Sequence, residues 1–282
     1  MTDALVSAEW LYNHLGDADV RPVDVRWYLT ERGRGRAEYN EAHIPGAAFM
    51  DIDADLAAPP ENGPGRHPLP SPEAFAQAAG HAGIGPNTHV IAYDASGGAY
   101  ATRLWWLLRY FGHARVSLLD GGWQAWQAAG YPTASGEEQV LRAEFTPNPQ
   151  PDMVMNADAV DQLRGANGAL LIDARAAERY EGRTEPIDPR AGHIPGARNM
   201  PYANNMRPDS TWKSPDELRA QYNSLGADTA AQVVCYCGSG ITATHDIFAL
   251  HLAGRDDARL YEGSWSDWSS DPDRPAATGP DA

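Results

Sequence analysis

The sequence predicts an α/β protein of two tandem domains, each a mainly parallel sheet with helices on both faces. Three observations lead there: the length, an internal repeat, and the alternation of short apolar runs with helix-like segments inside each copy. At 282 residues the chain is long enough for two domains that each bury a core without disulfides or metals.

The repeat is read directly. His43-Ile44-Pro45-Gly46-Ala47 recurs as His193-Ile194-Pro195-Gly196-Ala197, an offset of 150, and Val23-Asp24-Val25-Arg26 recurs as Ile172-Asp173-Ala174-Arg175, an offset of 149. Further on, Val90-Ile91-Ala92-Tyr93-Asp94 matches Val233-Val234-Cys235-Tyr236-Cys237 and Leu119-Asp120-Gly121-Gly122-Trp123 matches Tyr261-Glu262-Gly263-Ser264-Trp265, at offsets of 143 and 142. Four matches in one order point to a duplicated unit. The fall in offset assigns about seven extra residues to the first copy, ahead of its Tyr93 run, where Pro59, Pro60, Gly63, Pro64 and Gly65 mark a loop.

Within each copy one apolar run ends at Asp-x-Arg, another ends at Tyr93-Asp94 or Tyr236-Cys237, and a helix-like segment follows each. That order reads as βαβ units. Segments 103–111 and 241–253 are apolar almost all round, which predicts two buried helices, the second stopped by Gly254. Pro132, Ser135, Gly136, Pro147, Pro149 and Pro151 mark a connection between the copies. The expected division is a first domain over 1–135, a linker over 136–151 and a second domain over 152–282.

Composition narrows the function. A net charge of −16 and a pI near 4.8 argue against nucleic acid, whose binding draws on clustered Lys and Arg. Two Cys make no disulfide framework. The start of the chain lacks a basic segment followed by an apolar run, and no stretch approaches the ~18 apolar residues of a membrane span. A cytoplasmic setting without membrane attachment is the expectation, and there a free thiol can do chemistry.

Cys237-Gly238-Ser239-Gly240-Ile241-Thr242 stands directly after a β-branched strand and directly before a helix. A loop there points successive backbone N–H groups and the positive end of the helix dipole into its bowl. The expected consequence is a lowered thiol pKa, from ~8.5 for free Cys, and a thiolate available at neutral pH. Cys235, inside the apolar strand, is expected as core packing; a Cys-x-Cys metal pair lacks the neighbouring His or Cys that a zinc site needs. In the first copy Asp94 stands where Cys237 stands, and a carboxylate cannot accept and hand on sulfane sulfur. The first domain is therefore expected to be catalytically silent.

The whole chain resembles the two-domain rhodanese family, on the paired His-Ile-Pro-Gly-Ala motifs, the six-residue Cys loop in the second half alone, and the segments around Trp123 and Trp265. The resemblance implies two tandem rhodanese-like domains, no cofactor, and sulfur transfer through a persulfide on Cys237. Cys237-Gly238-Ser239-Gly240-Ile241-Thr242-Ala243 is similar to the loop of family members that use 3-mercaptopyruvate, whereas thiosulfate-preferring members carry basic residues there. The resemblance further implies that Arg179 and Arg190, in the stretch from Arg179-Tyr180 through Thr184-Glu185-Pro186, bind substrate, with Arg183 as an apparent insertion.

The expected chemistry follows. The donor's carboxylate and ketone suit a guanidinium fork. Ser239 is expected to hydrogen-bond the donor sulfur or relay a proton. Amides of Gly238, Gly240, Ile241 and Thr242 are expected to hold the persulfide until a thiol acceptor, such as thioredoxin or a small thiol, takes the outer sulfur. His193 reads as structural; His43 reads as structural or as a first-domain contribution to the second domain's site. The alternatives are thiosulfate as donor at the same site, and a non-catalytic persulfide carrier or binding module. A cysteine phosphatase would need an Arg where Ala243 stands.

Overall fold

The computed structural model describes residues 3–280 and divides the chain into two units. The first comprises residues up to Ala58, Pro70–Gln150 and Arg207–Trp212; the second comprises Pro59–Leu69, Pro151–Met206 and residues from Lys213 onward. The main changeover falls at Gln150–Pro151, the end of the Pro-rich connection. The Pro- and Gly-marked loop of the first copy, 59–69, belongs to the second unit.

The first unit runs β1 (Leu5–Val6), α1 (Ala8–His14), β2 (Val20–Asp24), α2 (Arg34–Glu41), β3 (Ala48–Phe49), α3 (Pro72–His81), β4 (His89–Tyr93), α4 (Ala101–Tyr110), β5 (Val116–Leu119) and α5 (Gly122–Ala128). The second repeats the plan with β6 (Val154–Met155), α6 (Ala157–Leu163), β7 (Ala169–Asp173), α7 (Ala177–Tyr180), β8 (Ala197–Asn199), α8 (Pro215–Asn223), β9 (Gln232–Tyr236), α9 (Ala243–Leu252), β10 (Arg259–Tyr261) and α10 (Ser264–Trp268). The sheets have the orders β1-β5-β4-β2-β3 and β6-β10-β9-β7-β8, every pair parallel.

Strands β4 and β9 lie at the centre of their sheets, and their apolar runs are buried as parallel strands covered on both sides require. Helices α4 and α9 are buried from Ala101 to Leu108 and from Ala243 to Leu250, as their all-round apolar character predicts. Trp265 and Trp268 are buried in the second core, Trp123 and Trp126 in the first.

The repeated motifs prove to be framework. Asp24 and Asp173 each hold the guanidinium two residues on, Arg26 and Arg175, in a buried pair at 2.6 Å. Those arginines lie over Trp123 and Trp265, both at 4.8 Å. His43 and His193 stack on Tyr39 and Tyr180 at 4.0 and 3.7 Å and donate Nδ1–H to the carbonyls of the same tyrosines. The Tyr93 and Tyr236 hydroxyls accept the amides of Ile44 and Ile194, tying each His-Ile-Pro-Gly-Ala turn to its central strand.

Winding reverses between β7 and β9, since β8 lies on one side of the pair and β10 on the other. Open α/β sheets form their ligand crevice at such a reversal, at the carboxyl ends of the strands. Cys237 is the first residue after β9, level with the end of β7, because Tyr236 pairs with Asp173. Among the described residues no helix is long and apolar enough to cross a membrane.

Candidate active site

The Cys loop is fixed by its neighbours. The Cys237 amide donates to Ser264 Oγ at 3.1 Å, and the carbonyls of Cys237 and Gly238 accept from the amides of Trp265 and Ser266, each at 2.9 Å. Gly240 has φ +79° and a Cβ there would lie 2.4 Å from the Glu262 carbonyl oxygen, so only glycine fits both the turn and the space. Ile241 is buried and anchors the far end of the loop, and its carbonyl accepts the Thr244 hydroxyl at 2.7 Å. No side chain caps the first turn of α9, where Thr242 is the N-cap residue. Cys235 is fully enclosed in β9, and burial pushes its thiol well above the usual value, which makes it inert at neutral pH.

Around this loop the second unit assembles a charged and polar ring. Ser239, 8 % exposed, is hydrogen-bonded through Oγ to His67 Nδ1 at 2.7 Å. A Cβ on Gly238 would lie 3.0 Å from Arg66 Nη2, 3.5 Å from Arg179 Nη1 and 3.7 Å from Arg179 Nη2, so two guanidiniums overhang the residue after the nucleophile. Asp188 bridges them, with Oδ1 on Arg66 Nη1 and Oδ2 3.0 Å from Arg179 Nη2. Glu185 accepts from Arg179 at 2.7 Å and from Arg175 at 3.3 Å. Burial pulls the Arg66 guanidinium down from its usual pKa.

Of the residues singled out from the sequence, Cys237, Gly238, Ser239, Gly240, Ile241, Thr242 and Arg179 come together here. Arg190 does not. Its guanidinium donates to the carbonyls of Trp268, Ser269, Asp271 and Arg274 at 2.7 to 3.0 Å, closing the carboxyl end of α10. Spacing before the His193 motif suggested a substrate arginine; the orphan carbonyls of a helix end claim it instead. Arg183, the apparent insertion, is exposed beside Glu181. His43 is fully buried in the first unit, with Nδ1 on Tyr39 O and Nε2 3.4 Å from Glu138, so both ring nitrogens are engaged locally and its geometry is that of a structural histidine.

Sequence reasoning missed Arg66, His67, Glu185 and Asp188. The first two lie in the loop whose extra length was visible, flanked by Gly65 and Pro68, and an Arg-His pair framed by turn residues was the available signal. The loop's neutrality is likewise only local, because tertiary structure brings two guanidiniums to Gly238.

Arranged this way, the site can hold an anion beside a thiol and move a proton through a Ser-His pair. Similarity to known proteins identifies the family. The rhodanese-like domain model matches residues 7–129 and 156–271. A probable 3-mercaptopyruvate sulfurtransferase of Pseudomonas aeruginosa is 42 % identical over 278 residues, covering 98 % of both chains. A thiosulfate sulfurtransferase of Cricetulus griseus is 36 % identical over 94 % of this chain and 91 % of its own length. The crystal structure of SseA from Escherichia coli, described among 3-mercaptopyruvate sulfotransferases, superposes with a TM-score of 0.84 at 36 % identity, over 94 % of this chain and all of that one.

Proposed function

The chain belongs to the rhodanese-like family and is a sulfurtransferase, and on that premise we propose that it moves sulfane sulfur from 3-mercaptopyruvate to a thiol acceptor through a persulfide on Cys237, releasing pyruvate. The observation that carries this reading is the pairing of a thiol at the mouth of α9 with two guanidiniums over Gly238 and a Ser239–His67 hydrogen bond.

In the reaction, the Cys237 thiolate attacks the donor sulfur of HS–CH₂–CO–COO⁻. A sulfur–sulfur bond forms, the carbon–sulfur bond breaks, and its electron pair leaves on carbon as the enolate of pyruvate. The guanidinium of Arg179 draws the carboxylate in and stabilises the enolate. Ser239 protonates the carbon, His67 replaces the proton on the hydroxyl through their 2.7 Å hydrogen bond, and the S–H proton that the donor sulfur brought into the persulfide restores the imidazole as the persulfide ionises. The persulfide rests against the amides of Gly238, Gly240, Ile241 and Thr242 until an acceptor thiolate takes its outer sulfur and regenerates the Cys237 thiolate. Thioredoxin or a small thiol in the cytoplasm fits that acceptor.

Thiosulfate at the same site is the second reading, favoured by the cations that reach the loop in space. Comparing kcat/KM for the two donors side by side decides between them. The proposal predicts a preference for 3-mercaptopyruvate, with pyruvate formed in step with sulfur loaded, and a clear preference for thiosulfate overturns it.

A further inference from the structure

Resting on that reading, we infer that Ser264, the residue that opens α10, is a positioning residue for the reaction: it grips the amide of Cys237 from behind and so sets how the nucleophile faces its donor.

The backbone is the first sign. Ser264 is fully buried with φ +53°, one of two non-glycine residues at positive φ among those described. Side chains rarely adopt that conformation because Cβ crowds a neighbouring carbonyl, and glycine adopts it freely. The first copy has glycine there: Gly122 has φ +54°, and a Cβ on it would lie 2.5 Å from the Asp94 carbonyl oxygen. Both copies use the next amide in the same way, Trp123 on the Asp94 carbonyl and Trp265 on the Cys237 carbonyl, each at 2.9 Å. The second copy therefore keeps a strained residue at a turn that glycine fits, and such strain persists only where other contacts hold it.

Those contacts belong to the Ser264 hydroxyl. Oγ accepts the Cys237 amide at 3.1 Å and donates its one hydrogen to the Tyr261 carbonyl at 2.9 Å. With that hydrogen committed, the hydroxyl has none for a sulfur, so it acts on Cys237 through the main chain. Trp265 and Ser266 complete the grip, because their amides, among those a helix start leaves without intrahelical partners, take the carbonyls of Cys237 and Gly238. A trans peptide directs its C=O and N–H to opposite sides, so holding these carbonyls on α10 turns the amides of Gly238 and Ser239 away from α10 and into the loop. The peptide before them is fixed on both sides, its N–H on Ser264 and its C=O, that of Tyr236, on the Ala174 amide at 2.9 Å. Three consecutive peptide planes are thereby set around the nucleophile. Gly122 has no hydroxyl to match, and the first copy has no nucleophile to aim.

Two variants separate aim from fold. Ser264→Ala removes the hydroxyl and keeps the strained backbone, whereas Ser264→Gly removes the hydroxyl and relieves the strain. Ser264→Gly should therefore melt above Ser264→Ala, while both lose activity alike: kcat for pyruvate release from 3-mercaptopyruvate should fall about ten- to a hundredfold with KM within about threefold. Alkylation of Cys237 by iodoacetamide, a small neutral reagent that needs no donor site, should slow about tenfold in both. A role in the fold alone predicts that the more stable Ser264→Gly regains kcat and alkylation rate, and that result overturns the inference. A change confined to KM overturns it as well. Should Ser264→Ala fail to fold, Ser264→Gly against wild type carries the test. A wild type that loads no sulfur from 3-mercaptopyruvate overturns the donor reading instead, and the alkylation rates still read Ser264 on their own.

Discussion

The loop after β4 and the loop after β9 occupy the same place in two copies of one sheet, and they differ in what fills them. In the first unit the Asp94 carboxylate sits in its own loop. Its Oδ1 accepts the amides of Ser96 and Gly98 at 2.7 and 2.9 Å, and its Oδ2 accepts those of Tyr100 and Ala101 at 2.8 and 2.9 Å. The carboxylate caps the start of α4 and is 1 % exposed. In the second unit a thiol stands there, and no side chain caps α9. The comparison teaches that an amide-lined loop at a helix start attracts negative charge in either copy. The first copy meets that demand permanently from within, and the second leaves it to a thiolate, a persulfide or a donor.

Breaking the second loop should have the largest effect. Cys237→Ser should lower sulfur transfer by about a thousandfold or more, since a hydroxyl replaces the nucleophile. Steady-state pyruvate release measures it, and residual activity above a tenth of wild type would contradict the assignment. Next comes His67→Ala, expected to lower kcat by about a hundredfold through loss of proton transfer, with a smaller change in KM. A flattened pH profile of kcat should accompany the loss; a change in KM alone would make His67 a binding residue.

Breaking the first loop should act on stability. Asp94→Ala strands four amides and should cost about 3–4 kcal/mol while leaving turnover within about threefold of wild type. Sulfate or thiosulfate should restore part of the melting temperature by occupying the vacated cradle. Equal melting of Asp94→Ala and wild type would mean that the carboxylate does not hold the loop.

The smallest effect concerns Asp246 in α9. Its Oδ1 accepts from Asn205 Nδ2 at 2.8 Å and the Tyr222 hydroxyl at 3.0 Å, its Oδ2 has no partner among the described residues, and burial pushes its pKa up to about 8. An unfolded Asp releases its proton near ~3.9, so between about pH 4 and pH 8 the folded state keeps a proton that the unfolded state has lost. Stability therefore falls as pH rises through that window and levels off above it. Asp246→Asn removes the slope: its melting temperature should match wild type near pH 4 and exceed it by on the order of a few degrees at pH 8. Parallel melting curves across that range would contradict the buried-acid assignment.

The frame was legible because it repeats. Asp24 and Asp173, Tyr93 and Tyr236, His43 and His193 are tied to their own sheets by short-range geometry, so the motif pattern reported the fold and the position of Cys237 together. The rim of the site was less legible, because it depends on which segments meet in space. Arg66 and His67 lie about 170 residues before Cys237, in a loop belonging to the other copy in sequence but to the same unit in space. Arg190 carried the right residue type at a suggestive spacing, and nothing in its neighbourhood revealed that α10 would end on it. Side-chain type marks a candidate; the backbone groups that compete for it decide its use.

The central claim is that sulfur rides on one atom of one copy, and intact-mass analysis after exposure to 3-mercaptopyruvate without acceptor reads it most directly. The expected result is a single adduct of about 32 Da on wild type and on Asp94→Ala, removed by a thiol and absent from Cys237→Ser. An unchanged mass for wild type, or the same adduct on Cys237→Ser, would contradict it.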